Sequence, residues 1–159
     1  KVLAEDADKR DSLIFGYFGA AINICDGRYS YFHYPVVDAA EHLFEYTLMP
    51  TRMTTRFSIT ELLGATLHPS FSFTKGVPVL RLPPKMDEDG MPVEVQGMPF
   101  ADQQSQLFDL QNDPRQEIPI DDPVKTEYMR QLIIQNMVRL DAPAEAFSRF
   151  GFKTPSIKK

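Results

Sequence analysis

The chain has 159 residues, 43% hydrophobic and 25% charged, which excludes a tiny disulfide scaffold and a disordered tail. It leaves room for one domain with a real core, or one piece of a larger enzyme. With 17 basic against 22 acidic residues the net charge is −5, which repels phosphate backbones, and no apolar run is long enough to span a bilayer. Neither a nucleic-acid nor a membrane partner is expected. The single cysteine, Cys25, permits no internal disulfide and no multi-cysteine zinc cluster. Lys1 opens no basic-apolar-small leader pattern, so the chain reads as an internal or trimmed segment and its compartment stays open.

Residues 1–11 alternate charges around few apolar side chains, a linker composition. Ser12 to Phe18 is apolar and aromatic, and it reads as a strand interrupted by Gly16 and Gly19. Two further arms, Ala20 to Cys25 and Arg28 to Tyr34, flank Asp26-Gly27, a pair suited to a type I′ hairpin turn. In the second arm Tyr29, Tyr31 and His33 alternate with Ser30, Phe32 and Tyr34, so both faces carry aromatics and the arm is expected to be covered on both sides.

From Pro35 to Gln106 the pattern loosens into an excursion far longer than an ordinary connection. Leu43 to Leu48 fits either a strand or a helical turn. Ser58-Ile59-Thr60-Glu61 has capping-box spacing, with Gly64 placed to stop the helix at C′. Six prolines punctuate His68 to Gln106, which predicts mostly loop, with at best a short edge strand over Val77 to Leu82 demoted by Pro78. Phe57, Phe71, Phe73 and Phe100 nevertheless argue that the excursion packs.

Leu107 to Leu110 reads as a strand, ended by the turn residues Asn112-Asp113-Pro114. Asp122 can cap and Pro123 can open a long helix whose apolar positions are Val124, Tyr128, Leu132, Ile133, Met137 and Leu140, with Ile134 and Val138 widening the stripe. A short helix from Pro143 to Phe150 ends at Gly151, and residues 152–159 read as a polar, frayed tail. The predicted class is α+β: a small antiparallel sheet of about four strands over residues 12–151, a long C-terminal helix packed on it, and the irregular insertion 35–106.

Few residues carry chemistry by pattern. Cys25 ends an apolar strand beside Asp26, a setting for a semi-buried small hydrophobe and not for a reactive thiolate. His33, His42 and His68 lack helical metal-ligand spacing, which favours surface or hydrogen-bonded histidines. Asp87-Glu88-Asp89-Gly90 opens like a calcium loop, but Pro92 and Val93 break the ligand pattern and leave a solvated turn. No phosphate-cradling glycine loop and no nucleophile elbow is present. Arg52, Arg56, Lys75 and Arg81 give the insertion a basic complement that can approach an anionic group at a cleft, although scattered loop cations are more often solvated.

Two segments together carry a resemblance: IFGYFGAAINICDGRYSYFHYP from Ile14 to Pro35, and LFDLQNDPRQE from Leu107 to Glu117. They resemble the C-terminal subdomain of a bacterial sulfatase of the alkaline-phosphatase-like superfamily. In that family a strand, a D-x-x-Y-type hairpin and a third strand precede an LYDL-x-x-DP segment followed by glutamate, and a long helix packs on the sheet. Leu107, Phe108, Asp109, Leu110, Asp113, Pro114 and Glu117 match it, with Phe108 in place of the usual tyrosine.

The resemblance implies a parent enzyme that cleaves sulfate esters with formylglycine and one divalent cation, calcium. Formylglycine arises from C-x-P-x-R, and Gly27 stands where Cys25 would need the proline. The metal-binding D-H-G segment is also absent. Both belong to the family's N-terminal catalytic domain, so residues 1–11 would be the linker from that missing partner and the fragment itself would be inactive. The insertion would then help complete the substrate pocket, with His68 and Lys75 as contacts.

Two alternatives stand beside this. A phosphodiesterase or phosphoglycerol transferase of the same superfamily shares the scaffold. A non-catalytic carbohydrate- or protein-binding module would instead expose Tyr29, Tyr31 and Tyr34 as an aromatic patch. Removal of a domain partner would also leave apolar surface that promotes self-association.

Overall fold

A computed structural model describes residues 11–36, 42–86 and 104–155. The acidic turn from Asp87 to Gly90, Phe100, and the greater part of the lead-in and tail lie outside the described residues.

The alternation read in the first third of the chain produces β1 (Leu13–Gly16), β2 (Ile22–Cys25) and β3 (Tyr29–His33), joined by β7 (Gln106–Asp109) in an antiparallel sheet of order β1-β2-β3-β7. Register places Ile14, Ile24, Tyr31 and Leu107 in one row across all four strands. The next row on the opposite face holds Phe15, Asn23 and Phe32.

The hairpin forms, but its turn is not type I′. Asp26 occupies the first corner of the turn and Gly27 takes the positive φ, +93°, while Arg28 keeps a negative one, the φ pattern of type II′. The physical reason is the Asp26 carboxylate, which accepts the N–H groups of Arg28 (3.0 Å) and Tyr29 (2.7 Å) and so holds Asp26 outside the two central positions.

The long helix α2 (Pro123–Arg139) starts as expected, with the Asp122 side chain accepting the Lys125 N–H at 2.9 Å and Pro123 at the first position. Its buried face differs from the expected stripe. Met129, Ile133, Asn136 and Met137 turn inward, whereas Val124 is 83% exposed and Tyr128 and Leu140 are also exposed. A polar residue can occupy this face because Asn136 donates to Ser12 Oγ and to the Leu132 carbonyl, both at 2.9 Å. Met129, Ile133 and Met137 meet Ile24, Tyr31 and Leu107 of the sheet in a common core. Each such fully buried side chain contributes about 1.5–3 kcal/mol.

Both C-terminal helices end in Schellman motifs. In α2 the Ala142 N–H reaches the Met137 carbonyl (2.9 Å), with Asp141 left-handed at φ +55°. In α3 (Ala144–Arg149) the Phe152 N–H reaches the Phe147 carbonyl (2.9 Å), with Gly151 at φ +69°. The second motif corrects the boundary of the tail: Phe152 is buried in the core and stacks on His33, because the motif turns the chain back onto its own last turn. A Cβ at Gly151 would also lie 3.1 Å from Val36 Cγ2. Gly151→Ala is therefore expected to cost about 1–2 kcal/mol. Thermal unfolding checks this, and a change within a few tenths would show that the left-handed turn carries no constraint.

Most described residues of the insertion lie outside regular elements, as its prolines predict, yet it carries more than the one short strand expected. It builds a second antiparallel sheet of order β4-β6-β5, from β4 (Glu45–Thr47), β5 (Thr66–His68) and β6 (Val79–Leu82). The expected edge strand β6 is the central one, because Pro78 precedes the first ladder residue and its missing N–H falls outside the pairing. The capping box closes the short helix α1 (Ile59–Leu63) as read. Gly64 caps it differently. Its φ is −87°, so a left-handed conformation is not what requires glycine there. A Cβ would stand 3.0 Å from Pro83 Cγ, so a side chain there would have to push the Pro83 ring aside by a few tenths of an ångström.

Candidate functional site

A cleft of about 380 Å³ opens where the two sheets and α3 meet. Its walls are largely apolar, with Ile14, Phe18 and Ala21 from the first sheet region, Phe44 from the insertion, and Pro143 and Phe150 flanking α3. Polar groups enter from three elements. Tyr46 comes from β4, Glu145 and Arg149 from successive turns of α3, and Arg81 stands behind them on β6.

The Tyr46 hydroxyl donates to Glu145 Oε1, and Arg81 Nε donates to the same oxygen (3.1 Å) and to the Tyr46 oxygen (3.3 Å). The Arg81 guanidinium also lies over the Phe44 ring, 3.4 Å from its centroid. Burial, reinforced by the carboxylate of Glu145, pushes the Tyr46 phenol well above its usual range. Burial alone would raise Glu145, but the Tyr46 hydroxyl and the Arg81 charge outweigh it and hold the carboxyl below its ordinary value. These hydrogen bonds tie β4 and β6 to α3. Deeper in, Arg149 is buried, its Nη2 donating to the Gly19 carbonyl at 2.7 Å, and burial lowers its guanidinium below the usual value.

The residues singled out from sequence do not converge on this cleft as a set. His68 ends β5, with its ring stacked on Phe71 (4.9 Å) and edge-on to Tyr46 (5.1 Å), and its Nδ1 pairs with the Pro69 carbonyl. Lys75 is exposed in a left-handed turn at φ +52°. Neither lines the cleft, whereas His42 does. Of the four cations named from the insertion, Arg52 bridges Glu45 (2.7 Å) and Glu61 (2.6 Å) and Arg81 holds Glu145, while Arg56 and Lys75 face solvent. Cys25 is half-buried and accepts the Gly27 N–H through sulfur.

The aromatic patch imagined for a binding module is not formed by its three tyrosines. Tyr31 belongs to the core, Tyr29 packs partly against it, and Tyr34 is half-buried. Among the described residues no group of three His, Cys, Asp or Glu side chains is arranged to hold a metal ion, and no helix is long and apolar enough to cross a membrane. Tyr46, Glu145 and Arg149 went unnoticed in the sequence. The spacing of Glu145 and Arg149, one turn apart on α3, is the only local signal they leave.

His33 is buried and hydrogen-bonded at both nitrogens. Nε2 pairs with the Phe150 carbonyl at 2.8 Å and Nδ1 with the Tyr31 hydroxyl at 3.2 Å, an arrangement that assigns the proton to Nε2. Burial lowers its pKa, opposed by the Phe150 bond and assisted by the charge of Arg130. The unfolded chain, titrating near 6.5, then binds more protons than the folded one in the window below that value. Stability is expected to be complete above about pH 6.5 and to fall on acidification until the lower folded pKa is passed. Urea unfolding from pH 7.5 to 5 checks this, and an equal slope in His33→Gln would remove histidine as its cause.

No family model matches the chain, and no curated protein or solved structure matches it either.

Proposed function

We propose that this chain is the C-terminal accessory subdomain of a sulfatase-like hydrolase whose catalytic domain cleaves sulfate esters. What supports the reading is the meeting of its two motif segments. The D-x-x-Y hairpin and the LFDL strand are neighbours through β3 and β7, with the Leu110 N–H on the Arg28 carbonyl at 2.8 Å. Arg28 also forks onto Asp109 through Nε (3.3 Å) and Nη2 (2.9 Å). Asp109 in turn accepts the Gln111 N–H and the Asn112 amide, and Asp113 accepts the Ile118 N–H. One local construction thus gives both motifs a common physical reason to occur together.

Formylglycine and a calcium ion do not fit the residues present. Cys25 lies in Cys-Asp-Gly-Arg and accepts a hairpin N–H, and the described carboxylates and imidazoles gather no cation site. In this reading both groups reside in the catalytic domain, and this chain contributes scaffold. His68 and Lys75 are its offered substrate contacts.

The test begins with the reading frame upstream of Lys1. A C-x-P-x-R followed by D-H-G is expected, and the complete product should release 4-nitrophenol from its sulfate ester while the chain of 159 residues alone does not. A serine or threonine in place of that cysteine would move the parent to phosphoryl transfer. No such domain would overturn the reading and leave a binding module.

A further inference from the structure

The two outer edges of the main sheet are finished differently. Beyond β7, Ile120 closes the ladder by donating its N–H to the Leu107 carbonyl at 2.8 Å. Beyond β1 no such closure is formed among the described residues. The hairpin bond from Asp26 N–H to the Tyr29 carbonyl sets the alternation, so Ile22 and Ile24 bond toward β3 while Asn23 and Cys25 bond toward β1. Their partners Phe15 and Leu13 therefore face inward along the ladder, and the N–H and C=O groups of Ile14 and Gly16 point outward. No hydrogen bond to those outward groups occurs among the described residues.

Natural edges are blunted by lysine, proline, a bulge or a covering loop. Leu13-Ile14-Phe15-Gly16 has no charge and no proline, and the 380 Å³ cleft runs beside it. The strands β4 and β5 of the smaller sheet are shorter and carry Glu45 and, just beyond His68, Pro69.

We infer that β1 is a self-association edge that pairs antiparallel with β1 of a second copy, joining two four-stranded sheets into one of eight strands. A twofold axis at Phe15 puts Ile14 opposite Gly16 of the partner subunit in both directions, so each outward N–H finds a carbonyl. Glycine at the second of these positions admits the close backbone approach. Phe15 then meets its own copy in a non-hydrogen-bonded pair, where side chains stand nearest.

The aromatic row favours this particular occupant. Phe15 packs edge-to-face on Phe32 (6.2 Å), and Phe32 edge-to-face on Phe108 (5.8 Å), all on the sheet face away from α2. The row runs from the closed edge to the open one and stops at Phe15, 41% exposed, beside Leu13, 50% exposed. A second copy continues the same row through the axis, whereas a polar strand would end it. Four residues per edge bury less than a standard interface, which places the dimer among weak ones. Ile14, Phe15 and Gly16 also line the cleft, so the pairing is argued from the strand edge and needs no catalytic role for this chain.

The test is light scattering of the complete chain over about 1 to 300 µM, with two variants. The mass is expected to approach double at the upper end. Phe15→Lys should weaken association about tenfold or more, by placing like charges at the axis. In a Cys25→Ser background, Phe15→Cys should form an intermolecular disulfide at least about tenfold faster than Ile14→Cys, because only position 15 faces its own copy. A monomer throughout, a dimer that survives Phe15→Lys, or equal cross-linking at positions 14 and 15 overturns the inference.

Discussion

Phe147→Ala is expected to destabilise the domain by about 3–5 kcal/mol, the range for deleting a fully buried aromatic ring. The ring is 1% exposed and belongs to the core cluster with Met129, Ile133 and Met137. Its carbonyl also accepts the Phe152 N–H that folds the chain back at the end of α3. A domain of this size is stable by only about 5–15 kcal/mol, so the variant should sit near its unfolding threshold. The consequence reaches the cleft, because α3 presents both Glu145 and Arg149. Urea unfolding measures the loss, with the exposed Val124→Ala expected within about 0.5 kcal/mol of the parent chain as control. A loss for Phe147→Ala no larger than that control would mean that α3 is not docked on the sheet.

Below about pH 4.5 acid should act on the insertion through Glu61. Burial alone would raise this carboxyl, but Arg52 and the Ser58 capping groups pull harder and bring it to about 2, from an ordinary 4.5. Its oxygens sit 2.6 Å from Arg52 Nη2 and 2.7 Å from the Ser58 N–H. A depressed folded pKa contributes stability that is complete above about 4.5 and disappears as pH falls toward about 2. Allowing for solvent screening, that contribution is about 1–2 kcal/mol.

Glu61→Gln retains a capping partner for Ser58 but not the charge. The variant should be less stable by that amount at pH 7 and should converge on the parent near pH 2. Other carboxylates titrate in the same window, so the difference between the two curves is the informative quantity. Parallel curves from pH 7 to 2 would show that Arg52 does not hold an ionised Glu61.

Signals confined to a few neighbouring residues were legible in the chain. The Asp122-Pro123 start of α2, the Ser58–Glu61 capping box and the glycine stop after α3 all appear where the sequence places them. Each involves groups within about one helical turn, so local stereochemistry suffices. The strands of the main sheet were legible from period-two alternation, and the short turn determines β2 and β3 as neighbours, whereas the pairing of β3 with β7 across the insertion is not local.

Other features depended on what stands opposite. Nothing adjacent to Pro78 reveals that β4 and β5 flank β6, and nothing near Asn136 reveals that Ser12 waits to accept its amide. The inward rotation of α2 follows from that bond and from the row Ile14, Ile24, Tyr31 and Leu107 beneath it. Gly64 looks like a conformational stop in sequence and is a point of tight packing against Pro83 in space.

The cleft is the extreme case. Tyr46, Arg81 and Glu145 come from three elements separated by long stretches of chain, and their hydrogen bonds exist only once the second sheet has docked on α3. The sequence by itself determined the α+β class, the hairpin and the helix ends, because those are settled by steric and hydrogen-bonding rules among near neighbours. The tertiary structure alone decided the second sheet, the buried face of α2 and the open edge at β1, because burial and pairing depend on partners that no local pattern names.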